Sequence, residues 1–331
     1  MRTTIVVHPR FDEIWPFAAD RLRELLEPIA EVTLARVTDG SAAGDTAAER
    51  LFWLGAPLDD AVLDRFPSLR EVFATEGYRG TPEAAALIES RGIRQLDHGS
   101  EGYWAQSVSE FALGLTIGAL RRIPQTHHAM LADPEAWTYA AEQFGDDPRF
   151  SNGTVEGKRV RIVGAGNIAS RYASFVNMLG ADVAAWDPFA SDPAFHRAGS
   201  RREHSLERLP RDAEIFVPMV PLTPGTEGLV TAEIIRSLPV GCLVVLVTRA
   251  RICDVPELRR RVLAGELSLA ADVFDIEPVP LDDPLLGRDN VVHTPHNAGR
   301  TIDSNLRWAQ LLVEQLDEFD PTKVPTASIR D

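Results

Sequence analysis

The apolar run Val160-Arg161-Ile162-Val163 passes directly into Gly164-Ala165-Gly166-Asn167-Ile168-Ala169, a G-x-G-x-x-G/A pattern where a strand should turn into a helix. Each position has a physical task. Gly164 permits a tight turn, Gly166 lets backbone approach a pyrophosphate, and Ala169 is small enough for the helix to pack on the strand. The amides at the helix start, near Asn167 and Ile168, would then bind the anion. Glycine turns of this kind also arise for packing alone, so the pattern gains its weight from context. A second strand, Val183-Ala184-Ala185-Trp186, ends in Asp187, at about the 20-residue spacing of a carboxylate that accepts both ribose hydroxyls. An acidic side chain there disfavours the extra 2'-phosphate of NADP, so the expected cofactor is NAD.

Four segments follow in order: Pro221-Leu222-Thr223-Pro224-Gly225-Thr226-Glu227-Gly228-Leu229, Thr248-Arg249-Ala250-Arg251-Ile252-Cys253-Asp254, Ala271-Asp272-Val273-Phe274-Asp275-Ile276-Glu277-Pro278, and Thr294-Pro295-His296-Asn297-Ala298-Gly299. Their order and spacing resemble the D-isomer-specific 2-hydroxyacid dehydrogenases, most strongly between residues 159 and 301. Four motifs in one order are far more specific than the glycine turn alone. The resemblance implies that Arg249, Glu277 and His296 are the catalytic residues, and the chemistry agrees. Reduction of a 2-oxo acid needs a proton donor for the carbonyl oxygen and a cation for the substrate, besides a hydride donor. Imidazole titrates near neutral pH, which suits His296 to the proton. A carboxylate at Glu277 would orient the ring and stabilise imidazolium. A guanidinium at Arg249 offers the fork that binds a carboxylate and polarises a carbonyl.

Arg251 competes with Arg249 for this role. In the family an acidic residue follows the arginine by about five positions and a leucine by about nine, and the residues that fit are Asp254 and Leu258, counted from Arg249. Arg251 is then a surface charge. The resemblance further implies that Asp272 holds the nicotinamide carboxamide, and that Pro221 and Thr223 line the cofactor's ribose and phosphate. Three departures stand out. Ala250 replaces the glycine usual after the arginine, and Leu246 replaces the asparagine usual three positions before it. The glycine-rich substrate loop of the first domain is here Ala74-Thr75-Glu76-Gly77-Tyr78, which makes Glu76 and Gly77 substrate-binding candidates and puts the usual small substrates in question.

These residues need a scaffold, and the flanking pattern supplies one. Short apolar runs at Ile5–Val7, Val32–Leu34 and Leu69–Ala74 alternate with helical spacings at Trp15–Ile29 and Pro82–Ser90, and Ala47–Leu54 reads as a helix-to-strand passage. Ser107–Leu120 is a helix that is apolar almost all round, and Asp133–Lys158 reads as loop. The alternation restarts at Arg159, with strands at Val160–Val163, Asp182–Trp186, Ile215–Val217, Leu243–Val247 and Val291–His293, and a helical tail over Ile302–Phe319. The expected fold is α/β: two doubly wound, parallel-sheet, Rossmann-like domains with an interdomain cleft. Residues 1–102 plus 302–331 should form the substrate domain and residues 103–301 the NAD-binding domain.

Composition narrows the function classes. The chain has 331 residues, an apolar fraction of 44% and a formal charge of −15. That charge argues against nucleic acid and against anionic membranes as partners, while local arginines can still receive a small anion. Two cysteines give no disulfide framework, His127 and His128 are adjacent surface residues, and there is no metal-ligand cluster. No leader and no membrane-spanning run is evident, so a cytoplasmic location is expected. A small-molecule substrate is the expected partner, and the resemblance implies a homodimer. An NAD-sensing regulator of the same fold, or a dehydrogenase of a different small oxyanion, are the competing readings.

Overall fold

A computed structural model describes residues 1–37, 44–77, 80–98, 102–133, 145–319 and 322. By their internal contacts the residues divide into two units, Met1–Tyr103 with Arg300–Asp331, and Trp104–Gly299. In the first, strands β1 (Arg2–Val7), β2 (Glu31–Arg36), β3 (Arg50–Leu54), β4 (Glu71–Thr75) and β5 (Arg94–Gln95) form one parallel sheet in the order β2-β1-β3-β4-β5. Helices α1 (Pro9–Ile14), α2 (Ala18–Leu26), α3 (Asp60–Leu63) and α4 (Pro82–Ser90) connect them. β3 and β4 are buried along their whole length, as expected of parallel strands covered on both faces.

The helix expected over Trp15–Ile29 is the shorter α2, which starts at Ala18 because its N-cap Phe17 adopts a left-handed backbone (φ 69°), and a separate α1, capped by Trp15, precedes it. The helix expected before Leu54 is absent: Asp45 accepts from the Ala47 amide at 2.9 Å, closing a turn that leads into β3. The tail returns to this unit as α11 (Ile302–Val313), which stops short of the expected Phe319. Trp308, fully buried, anchors it against Phe11 and Phe73, with ring centroids 5.4 and 5.7 Å away. The buried Arg50 guanidinium bridges Glu71 (2.6 Å) and Glu318 (3.0 Å), tying the residues beyond α11 to the sheet.

The second unit opens with α5 (Ala105–Leu120) and α6 (Ile123–Ala132) and carries β6 (Arg159–Val163), β7 (Asp182–Trp186), β8 (Arg201–Arg202), β9 (Ile215–Pro218), β10 (Leu243–Leu246), β11 (Ser268–Ala271) and β12 (Val291–His293). The seven strands are parallel in the order β12-β11-β10-β9-β6-β7-β8. One sheet face packs on α5 and α7 (Asn167–Met178), with Phe195 of α8 (Asp192–Arg197) at its edge. The other packs on α9 (Ala232–Ser237) and α10 (Val255–Leu263). The order reverses between β6 and β9, and open parallel sheets bind ligands at the carboxyl ends of the strands flanking such a reversal.

Candidate active site

The glycine turn lies at that reversal. Gly164 closes β6 with φ +113°, and a Cβ on it would stand 2.9 Å from the Met219 carbonyl oxygen at the end of β9. A side chain there would meet backbone, so only glycine fits. Gly166 is the N-cap of α7 with no side-chain cap, and it is exposed together with Asn167. The first amides of a 12-residue helix are thus left open at the positive end of its dipole. Ile168 is half-buried against the core, and Ala169 is 1% exposed, packed under the helix. Asp187, at the end of β7, accepts from the Ala165 amide through Oδ2 (2.9 Å) and from the Phe189 and Ala190 amides through Oδ1 (2.9 and 3.1 Å). Its carboxylate is therefore fastened to the glycine turn while remaining half-exposed. A turn without a side chain, an uncapped helix and a fixed carboxylate fit a dinucleotide.

Arg249, Asp272, Glu277 and His296 stand on the other wing of the same sheet. Thr248-Arg249 follows β10, Asp272 follows β11, and Thr294–Ala298 follows β12. His296 Nδ1 and Glu277 Oε2 are 2.7 Å apart, and Glu277 Oε1 accepts from the Phe274 amide at 2.8 Å. A carboxylate only accepts, so this pairing places a proton on Nδ1 and leaves Nε2 as the ring's free nitrogen. Burial pushes the Glu277 carboxyl up, but the hydrogen bonds from His296 and the Phe274 amide and the charges of His296 and Arg249 outweigh it and hold the group below the usual carboxylate range. His296 itself has φ 53°, a left-handed backbone for a non-glycine residue, which costs on the order of 1–3 kcal/mol unless its surroundings impose it.

Arg249 is half-buried in extended backbone, with Nη1 donating to the Thr248 carbonyl at 2.6 Å. Arg251 is exposed and pairs with Glu227 at 2.6 Å, a surface charge. Ala250 begins a 3₁₀ turn at negative φ, so the glycine of the resemblance is not required there. Leu246, 3% exposed, is part of the core. Pro221 and Thr223 lie in an exposed turn organised by Thr226, whose hydroxyl accepts from the Thr223 amide (2.8 Å) and donates to the Pro221 carbonyl. Asp272 has no exposed surface and bonds to the loop that carries His296. Glu76 and Gly77 belong to the other unit, where Glu76 is exposed at the end of β4 and the Gly77 amide donates to Thr75 Oγ1 at 3.1 Å. Tyr78 lies outside the described residues.

Sequence reasoning missed three supports. Arg259 of α10 grips Asp283 at 2.8 Å and so holds the segment after Glu277, Ser107 of α5 donates to the Ala298 carbonyl at 2.5 Å, and Thr226 closes the Pro221 turn. None has a local signal, because each joins segments distant in sequence or acts through an ordinary hydroxyl.

Residues 113–298 match the family model described as D-isomer specific 2-hydroxyacid dehydrogenase, NAD binding domain, more than half of the chain. The chain belongs to this family. The matched range contains the glycine turn, Asp187, Arg249, Glu277 and His296. Among named relatives, a glyoxylate reductase of Korarchaeum cryptofilum is 26% identical over 313 residues, covering 93% of this chain and 88% of the relative. A D-3-phosphoglycerate dehydrogenase of Methanocaldococcus jannaschii is 29% identical over 211 residues, covering 63% of this chain but only 38% of the relative. The chain thus matches about two-fifths of that longer protein. A phosphoglycerate oxidoreductase structure from Rhizobium etli superposes with a TM-score of 0.73 at 23% identity, covering 96% of this chain and 94% of that one, a likeness of fold. Among the described residues no helix is long and apolar enough to cross a membrane, and no cluster of three or more His, Cys, Asp or Glu could hold a metal.

Proposed function

We propose that the protein is an NAD-dependent oxidoreductase acting on a 2-oxo acid/2-hydroxy acid pair. The observation that carries the reading is the 2.7 Å His296–Glu277 pair, which leaves Nε2 free at the carboxyl edge of the NAD-binding sheet. In this reading Gly164 and Gly166 admit the pyrophosphate, the Asn167 and Ile168 amides bind it, Asp187 accepts the ribose hydroxyls, and Pro221 and Thr223 line the site. Bound NADH supplies a hydride to the carbonyl carbon. His296 Nε2 gives its proton to the carbonyl oxygen, and Glu277, kept anionic by its donors, stabilises the imidazolium beforehand. Arg249 binds the substrate carboxylate and polarises the carbonyl. Glu76 and Gly77 meet the substrate in the unit formed by residues 1–103 and 300–331, the substrate domain of this reading. A homodimer and a cytoplasmic location complete it. Support for the dimer comes from α6, which buries no residue and exposes Ile123 (53%) and Leu131 (75%).

The test is oxidation of NADH and NADPH, side by side, across a broad panel of 2-oxo acids, with light scattering for the oligomer. Turnover with NADH on at least one acid is the expected result. Silence across the panel, or a preference for NADPH, overturns the reading of the reaction or of Asp187.

A further inference from the structure

Glu277 lies on a loop with a surplus of negative charge. Residues 272–283 contain five carboxylates, Asp272, Asp275, Glu277, Asp282 and Asp283, and no lysine or arginine. From Asp275 to Asp282 every residue but Val279 is exposed, so packing does little to hold this stretch. The cation comes from another element. Arg259 Nη2 donates to both carboxylate oxygens of Asp283, at 2.9 and 2.8 Å, and Nη1 stands 4.0 Å from Asp275 Oδ1. One guanidinium thus faces the chain two residues before Glu277 and six residues after it. Among the described residues no other lysine or arginine pairs with either aspartate. Both ends of this bracket are anchored. Asp283 Oδ1 also accepts from the amide of the buried Leu285 at 2.9 Å, and the Asp283 amide donates to the Pro280 carbonyl at 3.0 Å. Burial pushes the Asp283 carboxyl up, but the Leu285 amide and Arg259 outweigh it and hold the group below the usual carboxylate range. On the other side, α10 is fixed where it presents Arg259. Asp254 caps the helix through the Glu257 amide at 2.9 Å, and Leu258 and Val262 are buried in the core.

We infer that Arg259 is a positioning residue: by bracketing the loop at Asp275 and Asp283 it keeps the Glu277 carboxylate within hydrogen-bond reach of His296 Nδ1. The inference rests on the proposed function only for its effect on turnover. Its geometric half, maintenance of the 2.7 Å His296–Glu277 pair, stands apart from any reaction. Glu277 is otherwise held by the Phe274 amide at 2.8 Å and drawn by the charges of His296 and Arg249. Those forces act on the side chain and on the near arm of the loop, whereas Arg259 also fixes the far arm. Without the guanidinium, Asp283 keeps its Leu285 donor but loses its counter-charge, and Asp275 and Asp283 no longer share a cation. The loop relieves this by spreading into solvent, which carries Glu277 away from the ring. A lysine ammonium is a point charge that still attracts Asp283, so lysine keeps part of the role and glutamine does not.

Three measurements on Arg259→Gln and Arg259→Lys decide the matter: kcat with a 2-oxo acid, NADH affinity by fluorescence titration, and the Nδ1–H proton signal of His296 in protein labelled at histidine nitrogens. For Arg259→Gln the expected result is a fall in kcat of roughly tenfold from misplacement of Glu277, an unchanged NADH affinity, and loss of the Nδ1–H signal. Arg259→Lys should recover most of the rate and the signal. Should Arg259→Gln fail to fold, Asp283→Asn keeps the Leu285 bond and removes the charge. It should lower kcat by roughly 2- to 5-fold, broaden the same signal and leave NADH affinity alone. The two changes should not add: the double variant should match Arg259→Gln, because both break one pair. A kcat and a signal equal to wild type in Arg259→Gln, with only the Tm lowered, make Arg259 a brace of the fold and overturn the inference. So does a weakening of NADH binding by roughly tenfold or more with the signal and the saturated kcat intact. If the wild type turns over no 2-oxo acid, the reading of the reaction has failed, and the Nδ1–H signal alone still decides the role of Arg259.

Discussion

The two units each place a histidine within a network, and they use it in opposite ways. His296 lies on a loop, its side chain 41% exposed, with Nδ1 committed to Glu277 and Nε2 free. His98, just past β5, sits among Phe73, Tyr103 and Trp308, with ring centroids 5.2, 5.3 and 5.0 Å away, and burial pushes its imidazole down to about 4. Its Nε2 is buried without a hydrogen-bond partner among the described residues. The same side chain thus meets a carboxylate and solvent in one unit, and in the other it is packed among aromatic rings whose burial disfavours its charged form. The loop around His296 is correspondingly dense in polar bonds, whereas the surroundings of His98 are dense in rings.

The sharpest way to break this contrast is to remove His296. His296→Ala should lower the saturated rate of 2-oxo acid reduction by roughly 10²–10⁴-fold, with NADH binding retained and thermal stability nearly unchanged, since the ring is half-exposed and buries little. Unchanged turnover in a regime where chemistry limits the rate would falsify the role and reduce His296 to a loop residue.

The cofactor wing should respond separately. Gly164→Ala sets a methyl 2.9 Å from the Met219 carbonyl oxygen at φ +113°. Overpacking of this kind costs about 1–3 kcal/mol of stability, and relieving it shifts the turn proposed to meet the pyrophosphate, so NADH affinity should weaken by roughly tenfold or more. Turnover at saturating NADH should survive better than in the histidine variant. An affinity equal to wild type in a fluorescence titration means that the turn is a packing device and the pyrophosphate binds elsewhere.

These two predictions concern the part of the chain that was most readable. β6, β9, β10 and β12 carry apolar runs rich in Val and Ile, β7 carries the apolar run Val183-Ala184-Ala185-Trp186, and they stand where the periodicity put them. β11 was not read as a strand: Ser268-Leu269-Ala270-Ala271 is made of small residues whose burial comes from neighbours on both faces, not from its own pattern. β8 is two arginines at a sheet edge, invisible to any hydrophobic count. In the site, motif spacing pointed to His296 and Glu277 as a pair. It was silent about what holds them, because the bonds from Asp272 span 22 to 26 positions and leave no periodic trace.

The substrate side offers a smaller effect. Glu76 is an exposed carboxylate at the end of β4, an unexpected neighbour for an anionic substrate. If it faces the substrate carboxylate, screened repulsion is on the order of 1 kcal/mol. Glu76→Val should then raise kcat/KM on glyoxylate and pyruvate by up to about tenfold, and the gain should shrink for acids bearing a group that Glu76 can accept. Identical substrate profiles for the two proteins remove Glu76 from selectivity.

The smallest effect belongs to His98, and it separates the two histidines by stability instead of rate. The folded protein keeps this imidazole neutral down to about 4, against an ordinary value of 6.5, because burial outweighs the favourable charge of Asp97 and the hydrogen bond to the Trp308 backbone. The unfolded chain takes up the proton first as pH falls. The stability contributed by the neutral ring is therefore present above pH 6.5 and is lost progressively toward pH 4. Between about pH 7.5 and 5.5 the loss is ~1 kcal/mol, or roughly 1–2 °C in Tm for a chain of this size. His98→Leu keeps an apolar side chain against the three rings and abolishes the titration, so its Tm should fall less over the same interval by that amount. It also removes both the buried Nε2, which has no partner among the described residues, and the hydrogen bond to the Trp308 backbone, two opposing effects at neutral pH. NADH oxidation by the variant should stay close to wild type, the reverse of the outcome for His296→Ala. Parallel declines in Tm for the two proteins would show that His98 is protonated in the folded state, and the contrast between the two histidines would then rest on His296 alone.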